Sequence, residues 1–465
     1  MAGGIPSELG TRPIGALLRQ YAIPGIIAMT ASSLYNMVDS IFIGHIPDVG
    51  SLAIAGLAVT FPLMNISTAF GTLVGVGAAT MISVLLGQKN YHVAERVLCN
   101  DVTLNILTGA VFTLVTLLWM DPILRFFGAS EATLPFARDY MTIIACGNAV
   151  THLYFGLNAI VRSSGNPRLA MGLTLFTVTS NAILDPIFIY TLGLGIRGAA
   201  IATVLCQSLA LGYTFWYFLN PGRFLHLPRS LGIFRIYWRI AKDSLAIGMG
   251  PFLMNLASCI VVLFINQQLL RWGGDLAIGA FGIVNRITFL FIMVVMGLNQ
   301  GMQPIAGFNY GARLYSRVKE VYLRTALWAT LVTLTGFLLS EFLARGAAGI
   351  FTSDPALVDK AAGALRKINP LFAIVGFQMV TTNLFQCLGM VRKSVFLSLS
   401  RQLLFLLPCL YLLPPLLGSE DGVWYSFPIS DLVSSLLTAL LAWKLIVQLG
   451  RLRDGDSAAA LGGRI

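Results

Sequence analysis

Two acidic residues stand inside long apolar stretches of the sequence, and each has polar neighbours at helical spacing. The first, Asp39, lies in SSLYNMVDS, with Ser32, Tyr35 and Asn36 seven, four and three positions before it. Residues three or four apart share one face of a helix, so these side chains form a polar stripe.

The second acid, Asp185, follows Asn181 and Thr177 at intervals of four residues and immediately precedes Pro186. Proline lacks an amide hydrogen and opens the helical backbone beside the acid. Carboxylate, amide and hydroxyl oxygens suit a small hard cation, and paired carboxylates equally suit a proton. Such polar columns can also serve only to join helices by hydrogen bonds. This explanation would be sufficient if the columns contained hydroxyls and amides alone.

Two carboxylates in one half of the chain indicate more than packing, because a charge at the centre of a bilayer costs roughly 2.5–3.5 kcal/mol on insertion scales. We predict that Asp39 and Asp185 bind a transported cation, H⁺ or Na⁺, and that the protein has no resident cofactor. Three other ionisable residues are weaker candidates. His152 is open to proton relay or to simple hydrogen bonding, Asp431 has serines beside it, and Arg286 is the only basic residue that we place far from a helix end.

The remaining polar residues of the apolar segments are predicted to line or pack a substrate cavity. Those assigned to its wall are Tyr35, Asn36, Asn158, Gln303, Gln378 and Thr382. The chain also has 29 phenylalanines and 15 methionines, whose soft side chains can repack around unlike ligands. We expect small amphipathic molecules, especially aromatic cations, to bind there.

The elements that carry these residues are membrane-spanning helices. Of the 465 residues, 56% are hydrophobic and 11% are charged, which excludes an ordinary soluble globule. Apolar stretches long enough to cross about 30 Å of hydrocarbon recur throughout the chain. The sequence predicts an all-α integral membrane protein with about 12 transmembrane helices, near 14–43, 52–87, 93–119, 133–161, 167–191, 196–219, 240–270, 276–311, 317–344, 357–390, 394–417 and 422–449.

The net charge of +11 is distributed in a way that excludes nucleic acid as the partner and indicates the lipid bilayer. Loops rich in Lys and Arg alternate with loops that contain one or none, as the positive-inside rule requires, and only the loop 345–367 departs from the pattern. We predict a multi-pass protein of the plasma (inner) membrane, with both termini cytoplasmic, that functions as a monomer.

The chain contains an internal repeat. A shift of 224 residues aligns Gly77 with Gly301, Gly165 with Gly389, and further pairs through the whole half. Six helices per half place both repeats in the same orientation across the membrane, so the substrate belongs between them. The predicted domains are an N-lobe at 1–219, a cytoplasmic linker with a basic amphipathic helix at 220–243, a C-lobe at 244–449 and a cytoplasmic tail at 450–465.

A set of motifs resembles the MATE family, the multidrug and toxic compound extrusion transporters, across residues 14–449. The motifs are YNMVDSIFIG, RSSGNPR, NAILDP, GAAIAT, GLNQGMQPIAGFNYGA and WYSFPISD, in that order. The resemblance implies two lobes that rock around a central cavity and an antiporter that expels amphipathic, often cationic drugs in exchange for H⁺ or Na⁺. By motif it assigns the cation site to Asp39, Asn181, Asp185 and Thr203, with Tyr140 nearby, and a hinge to Pro24.

The sequence departs from some members of this family, which carry acids on the seventh and tenth helices. Here the stretches 248–270 and 368–390 contain no acid, so we expect coupling to rest on the N-lobe. A lipid-linked saccharide flippase of the same wider superfamily remains an alternative, although it would favour a cavity with several cations. An intramembrane enzyme is disfavoured, because the four histidines show neither metal-ligand nor nucleophile spacing.

Overall fold

The computed structural model describes residues 8–228 and 231–456, and helices account for most of them. We number the long helices in chain order. They are α1 (Ile14–Gly44), α2 (Gly50–Gly87), α3 (Tyr91–Leu118), α4 (Leu134–Cys146 with Asn148–Ser163), α5 (Pro167–Pro186), α6 (Ile196–Phe218), α7 (238–273), α8 (275–311), α9 (Tyr315–Phe342), α10 (Pro355–Ile368 with Phe372–Cys387), α11 (Val391–Leu417) and α12 (Asp421–Arg451). Short helices Glu8–Thr11, Met120–Phe126 and Ala344–Gly349 lie before or between them.

The number of crossings agrees with the sequence. Within the described residues, nine single helices are long and apolar enough to span a membrane, and two bent pairs, α4 and α10, add two more. The helix Trp238–Gly311 is interrupted at Gly274, where φ is 67° and ψ is −166°, so it forms two crossings, α7 and α8. Glycine tolerates this left-handed φ because it has no Cβ. The predicted all-α membrane fold of about twelve helices is confirmed.

The repeat is also present in the backbone. Lys89 has φ 59° and Arg313, 224 positions later, has φ 58°. Gly165 and Gly389 stand at the same offset and both have a positive φ. The two halves therefore use the same turns between α2 and α3 and between α8 and α9, and again after α4 and α10.

Contacts divide the described chain into two compact units. The first unit contains 27–252 with 8–11, and the second contains 253–456 with Arg12–Ile26. Helix α1 is thus shared between them, and its division lies two residues after Pro24. The predicted lobe boundaries, drawn from the sequence alone, stay a prediction.

Within the linker predicted at 220–243 to carry an amphipathic helix, a 3₁₀ turn covers Leu231–Phe234 and α7 starts at Trp238. Asn100 of α3 holds the backbone of Tyr237 from both sides: its Nδ2 donates to the Tyr237 carbonyl at 3.1 Å, and its Oδ1 accepts from the Tyr237 amide at 2.9 Å. The Arg96 guanidinium lies 4.9 Å from the centre of the Tyr237 ring. This part of the segment is fixed to α3.

Candidate cation site

Asp39 of α1 and Asp185 of α5 meet inside the first unit. Asp39 is 6% exposed and Asp185 is fully buried. Their carboxyl groups are close enough for one to hydrogen bond to the other if either carries a proton. Two ionised carboxylates at this separation would repel each other strongly in a poorly hydrated site. The pair therefore needs a proton or another small cation.

Several oxygens of the carboxyl pair and of Asn181 accept no hydrogen bond. Among the described residues, no partner reaches Oδ1 of Asp39, either carboxyl oxygen of Asp185, or Oδ1 of Asn181, although all four atoms are buried. Unsatisfied buried polar atoms are rare in folded proteins and call for an explanation. Carboxylate and amide oxygens are the ligands that a small hard cation prefers.

Hydrogen-bonded hydroxyl groups lie at one side of this site. The Tyr35 hydroxyl lies 2.9 Å from Thr203 Oγ1, and the Asn181 amide donates to the same Thr203 oxygen at 3.4 Å. Thr203 in turn donates to the Ala199 carbonyl at 3.0 Å. One threonine of α6 therefore links α1 and α5 next to the carboxyl pair.

Tyr140 completes the group of residues that the resemblance assigned. It is 2% exposed and lies within electrostatic range of both Asp39 and Asp185. Tyr35 interacts with the same two acids and with Tyr140. The structure thus brings Asp39, Asp185, Asn181, Thr203 and Tyr140 together, with Tyr35 as an additional member.

The local backbone explains the position of Asp185. Pro186 has no amide hydrogen, so the regular helix of α5 cannot continue unchanged past the acid. The wider π turn Ile187–Thr191 follows at once. Within it, the Tyr190 hydroxyl donates to the Phe42 carbonyl of α1 at 2.6 Å. The π turn therefore ties α5 to α1 near the end of α1.

The residues predicted for the cavity wall lie in different surroundings. In the first unit, Asn36 is exposed, whereas Asn158 is buried and its Nδ2 donates to the Ala170 carbonyl at 3.0 Å. In the second unit, Gln303 is buried on α8, Gln378 donates to the Ser434 hydroxyl, and Thr382 donates to the Gln378 carbonyl at 3.0 Å. Their role in substrate binding stays a prediction.

The sequence reasoning overlooked Arg401, and the statement that Arg286 alone is far from a helix end was wrong. Arg401 lies within α11, and its Nε donates to Asp431 Oδ1 at 2.7 Å. Arg286 is exposed on α8. The acid of α12 is thus neutralised by a basic partner, which argues for a structural role. The available signal was a basic residue seven positions into the predicted helix 394–417.

Asp101 of α3 was also overlooked. It is 1% exposed, and Asn105 and Thr108 follow it at helical spacing. Asp39 and Asp185 were selected because they are acids inside long apolar segments. Asp101 meets the same criterion, since it lies well inside the predicted helix 93–119. Asp101 is not among the residues that contact the carboxyl pair.

Comparisons with known proteins agree with this architecture. The family model MatE matches residues 24–187 and 246–412, one segment in each repeat. The chain is 28% identical over 442 residues to the multidrug export protein MepA of Staphylococcus aureus strain N315, covering 95% of both chains. Crystal structures of a MATE protein in bent and straight conformations are 26% and 25% identical, each with a TM-score of 0.89 over 97% of this chain and 99% and 100% of theirs.

Proposed function

Because the chain belongs to the MatE family of multidrug efflux transporters, we propose that it is a cation-coupled antiporter. It would export amphipathic, cationic drugs or toxins by alternating access, in exchange for H⁺ or Na⁺. The similarity to a staphylococcal multidrug export protein over nearly the whole length supports drugs as the substrate class.

The carboxyl pair Asp39 and Asp185 carries the proposal. Its buried oxygens lack donors among the described residues, so the site is incomplete without a cation. Binding of H⁺ or Na⁺ would remove the repulsion between the acids, and its loss would restore that repulsion. A ligand shifts a conformational equilibrium only when it binds one state better than the other. If α1 and α5 separate in one state, the pair binds the cation more weakly in that state, and this provides the difference in affinity.

Helix α1 is the element suited to transmit that change. Its first part, Arg12–Ile26, groups with the second unit, and its remainder groups with the first. Pro24 lies just before the division and removes one helical hydrogen bond. We therefore propose Pro24 as the hinge of α1, with Asp39 on the part that belongs to the first unit.

The first part of α1 is packed closely within the second unit. A Cβ added to Gly301 of α8 would come within 2.5 Å of the Ala22 Cα, and one added to Gly297 within 2.5 Å of the Ile26 Cα. Such contacts are possible only because glycine has no side chain. They hold the first part of α1, up to Ile26, against α8, so a bend of α1 near Pro24 would move its Asp39 end.

The loop charges support an inner-membrane protein with cytoplasmic termini. Labelling with a membrane-impermeant thiol reagent tests this orientation in a background without the native cysteines. Asp48→Cys should react from outside and Lys89→Cys should not. The reverse pattern would refute the orientation.

We propose a monomer as the transporting form.

Transport in proteoliposomes tests the function itself. Purified protein is reconstituted with a fluorescent aromatic cation, and either a pH gradient or a Na⁺ gradient is imposed separately. One of the two gradients should drive the dye against its own gradient, which also identifies the coupling ion. Dye movement that responds to neither gradient would refute coupled antiport, and a saccharide flippase would move no dye at all.

A further inference from the structure

A second buried acid lies in the first unit, away from the carboxyl pair. Asp101 is 1% exposed, and neither of its carboxyl oxygens has a hydrogen-bond partner among the described residues. Its position ten residues after the start of α3 places it about 15 Å along the helix. An unpaired carboxylate at such a depth is expensive, so something must neutralise it.

Asn105, one turn further along α3, shares this pocket. It is fully buried, and no other residue in the described part of the chain hydrogen bonds to its Oδ1 or Nδ2. The Asn105 side chain interacts with the Asp101 carboxyl group, and within the described ranges no charged side chain does so. Apart from each other, the carboxyl group of Asp101 and the amide of Asn105 therefore have no hydrogen-bond partner among the described residues.

Close packing of three helices creates the pocket. A Cβ on Gly156 of α4 would lie 2.5 Å from Asn105 Nδ2 and 2.8 Å and 3.0 Å from the Asp101 carboxyl oxygens. A Cβ on Gly75 of α2 would lie 2.6 Å from the Gly156 Cα. The carboxyl and amide groups thus lie directly against the α4 backbone. This arrangement has no room for a hydrated cation, whereas a proton needs no coordination shell.

An apolar cluster lies beside this part of α3. It joins Leu104 of α3 to Val74 of α2 and Ala241 of α7. Among the titratable groups, Cys99 lies two positions before Asp101 on α3, and His152 lies one turn before Gly156 on α4.

His152 is engaged elsewhere in the same interface. Its Nε2 lies 3.0 Å from the Ser67 hydroxyl, and its Nδ1 lies 3.4 Å from the Thr108 hydroxyl. Ser67 also donates to Asn148 Oδ1 at 3.0 Å. Polar groups thus continue along α2, α3 and α4 from the Asp101 pocket, at intervals of one helical turn.

The second repeat shows that the fold does not require this acid. At the offset of 224, the counterparts of Asp101, Asn105, His152 and Gly156 are Thr325, Ala329, Gly376 and Val380. Helices α9 and α10 pack there just as closely, since a Cβ on Gly376 would lie 2.4 Å from the Ala329 carbonyl oxygen. The Thr325 hydroxyl simply donates to the Val321 carbonyl at 2.7 Å. The corresponding helices of the second repeat thus pack closely without a carboxyl or an amide side chain at these positions.

We infer that Asp101, with Asn105 as its neighbour, is a second proton-binding site of the first unit. It is separate from the pair Asp39 and Asp185 and does not depend on which ion that pair carries. The protein would then hold a proton at Asp101 in addition to the exchanged cation.

Infrared difference spectroscopy tests the inference, because a protonated buried carboxylic acid has its own C=O stretching band. Purified protein carrying Asp39→Asn and Asp185→Asn is titrated with pH, so that the carboxyl pair does not contribute. Adding Asp101→Asn should remove one carboxylic acid band and reduce proton uptake by one per protein. Unchanged spectra and uptake would overturn the proposal, whatever the transport assays show.

A second variant keeps the acid in place in case Asp101→Asn fails to insert. Asn105→Leu removes the neighbouring amide, so the Asp101 band should shift to a different frequency without disappearing. Thr325→Val, at the corresponding place of the second repeat, is the matched control and should leave the band unmoved. A band that is unchanged in Asn105→Leu would also overturn the assignment to Asp101.

Discussion

The hydroxyl oxygens of Tyr35 and Thr203 lie 2.9 Å apart, and this hydrogen bond joins α1 to α6 beside the carboxyl pair. Asn181 of α5 reaches the same Thr203 oxygen. A movement of α1 therefore changes the surroundings of Asp39 and Asp185 together.

Replacing Tyr35 with Phe removes this hydrogen bond and little else. A typical intramolecular hydrogen bond stabilises by about 1 kcal/mol, so cation affinity should fall by roughly fivefold. The measurement is the cation concentration that gives half-maximal dye transport in proteoliposomes. Tyr190→Phe is the control, since it removes a hydrogen bond to α1 at the Phe42 carbonyl. An equal loss in both variants would contradict a specific role for Tyr35.

Pro24→Ala should restore the missing helical hydrogen bond of α1. Proline inside a helix costs about 3 kcal/mol, so the variant should unfold at higher temperature in detergent while transport slows at least about tenfold. Pro62→Ala is the matched control, because Pro62 lies inside α2, which belongs wholly to the first unit. Transport at the parent rate by Pro24→Ala would exclude Pro24 as the hinge.

Breaking the pair Arg401 and Asp431 should act on stability and leave coupling intact. Asp431 is 5% exposed, and removing one partner of a buried ion pair costs about 3 kcal/mol. Arg401→Met should therefore lower the denaturation temperature, and the double variant Arg401→Met with Asp431→Leu should recover most of it. The folded double variant should keep its cation dependence. A stable protein with uncoupled transport would instead assign Asp431 to the coupling machinery.

Acid should weaken the attachment of the start of the C-terminal tail to α9, because Asp454 holds the two together. This carboxylate accepts hydrogen bonds from the Ser316 hydroxyl at 2.6 Å and the Ser316 amide at 3.0 Å, at the beginning of α9. These bonds hold the pKa of Asp454 below its usual value. Their contribution is present above the ordinary aspartate pKa of about 3.9 and is lost as pH falls through the lower folded value.

Spin labels at Lys319→Cys and Arg453→Cys, in a background without the native cysteines, measure whether the tail stays bound. The distance distribution should be narrow at neutral pH and broaden only below about pH 4. Asp454→Asn should remove this pH dependence, because an amide does not ionise. The same acid transition in Asp454→Asn would show that another group holds the tail.

The helices could be predicted from the sequence because each depends on a pattern along one segment, and the candidate acids Asp39 and Asp185 were found in the same way. The break at Gly274 lies in the gap predicted between 270 and 276. The stripes containing Asp39 and Asp185 were visible as helical spacing in apolar segments. Sequence spacing does not reveal contacts between distant helices, and this is why the partner of Asp431 was missed. Asp101 was missed although its spacing with Asn105 was equally visible.

Cation movement by single acid variants tests the central claim most directly. Dye-driven release of H⁺ or Na⁺ from proteoliposomes is recorded for the parent, Asp39→Asn and Asp185→Asn, with Asp48→Asn as a control for charge alone. Because asparagine keeps the shape of aspartate without its charge, both pair variants should insert normally and lose coupled cation movement, while Asp48→Asn should match the parent. Parent-like cation movement in both pair variants would contradict the assignment of coupling to Asp39 and Asp185.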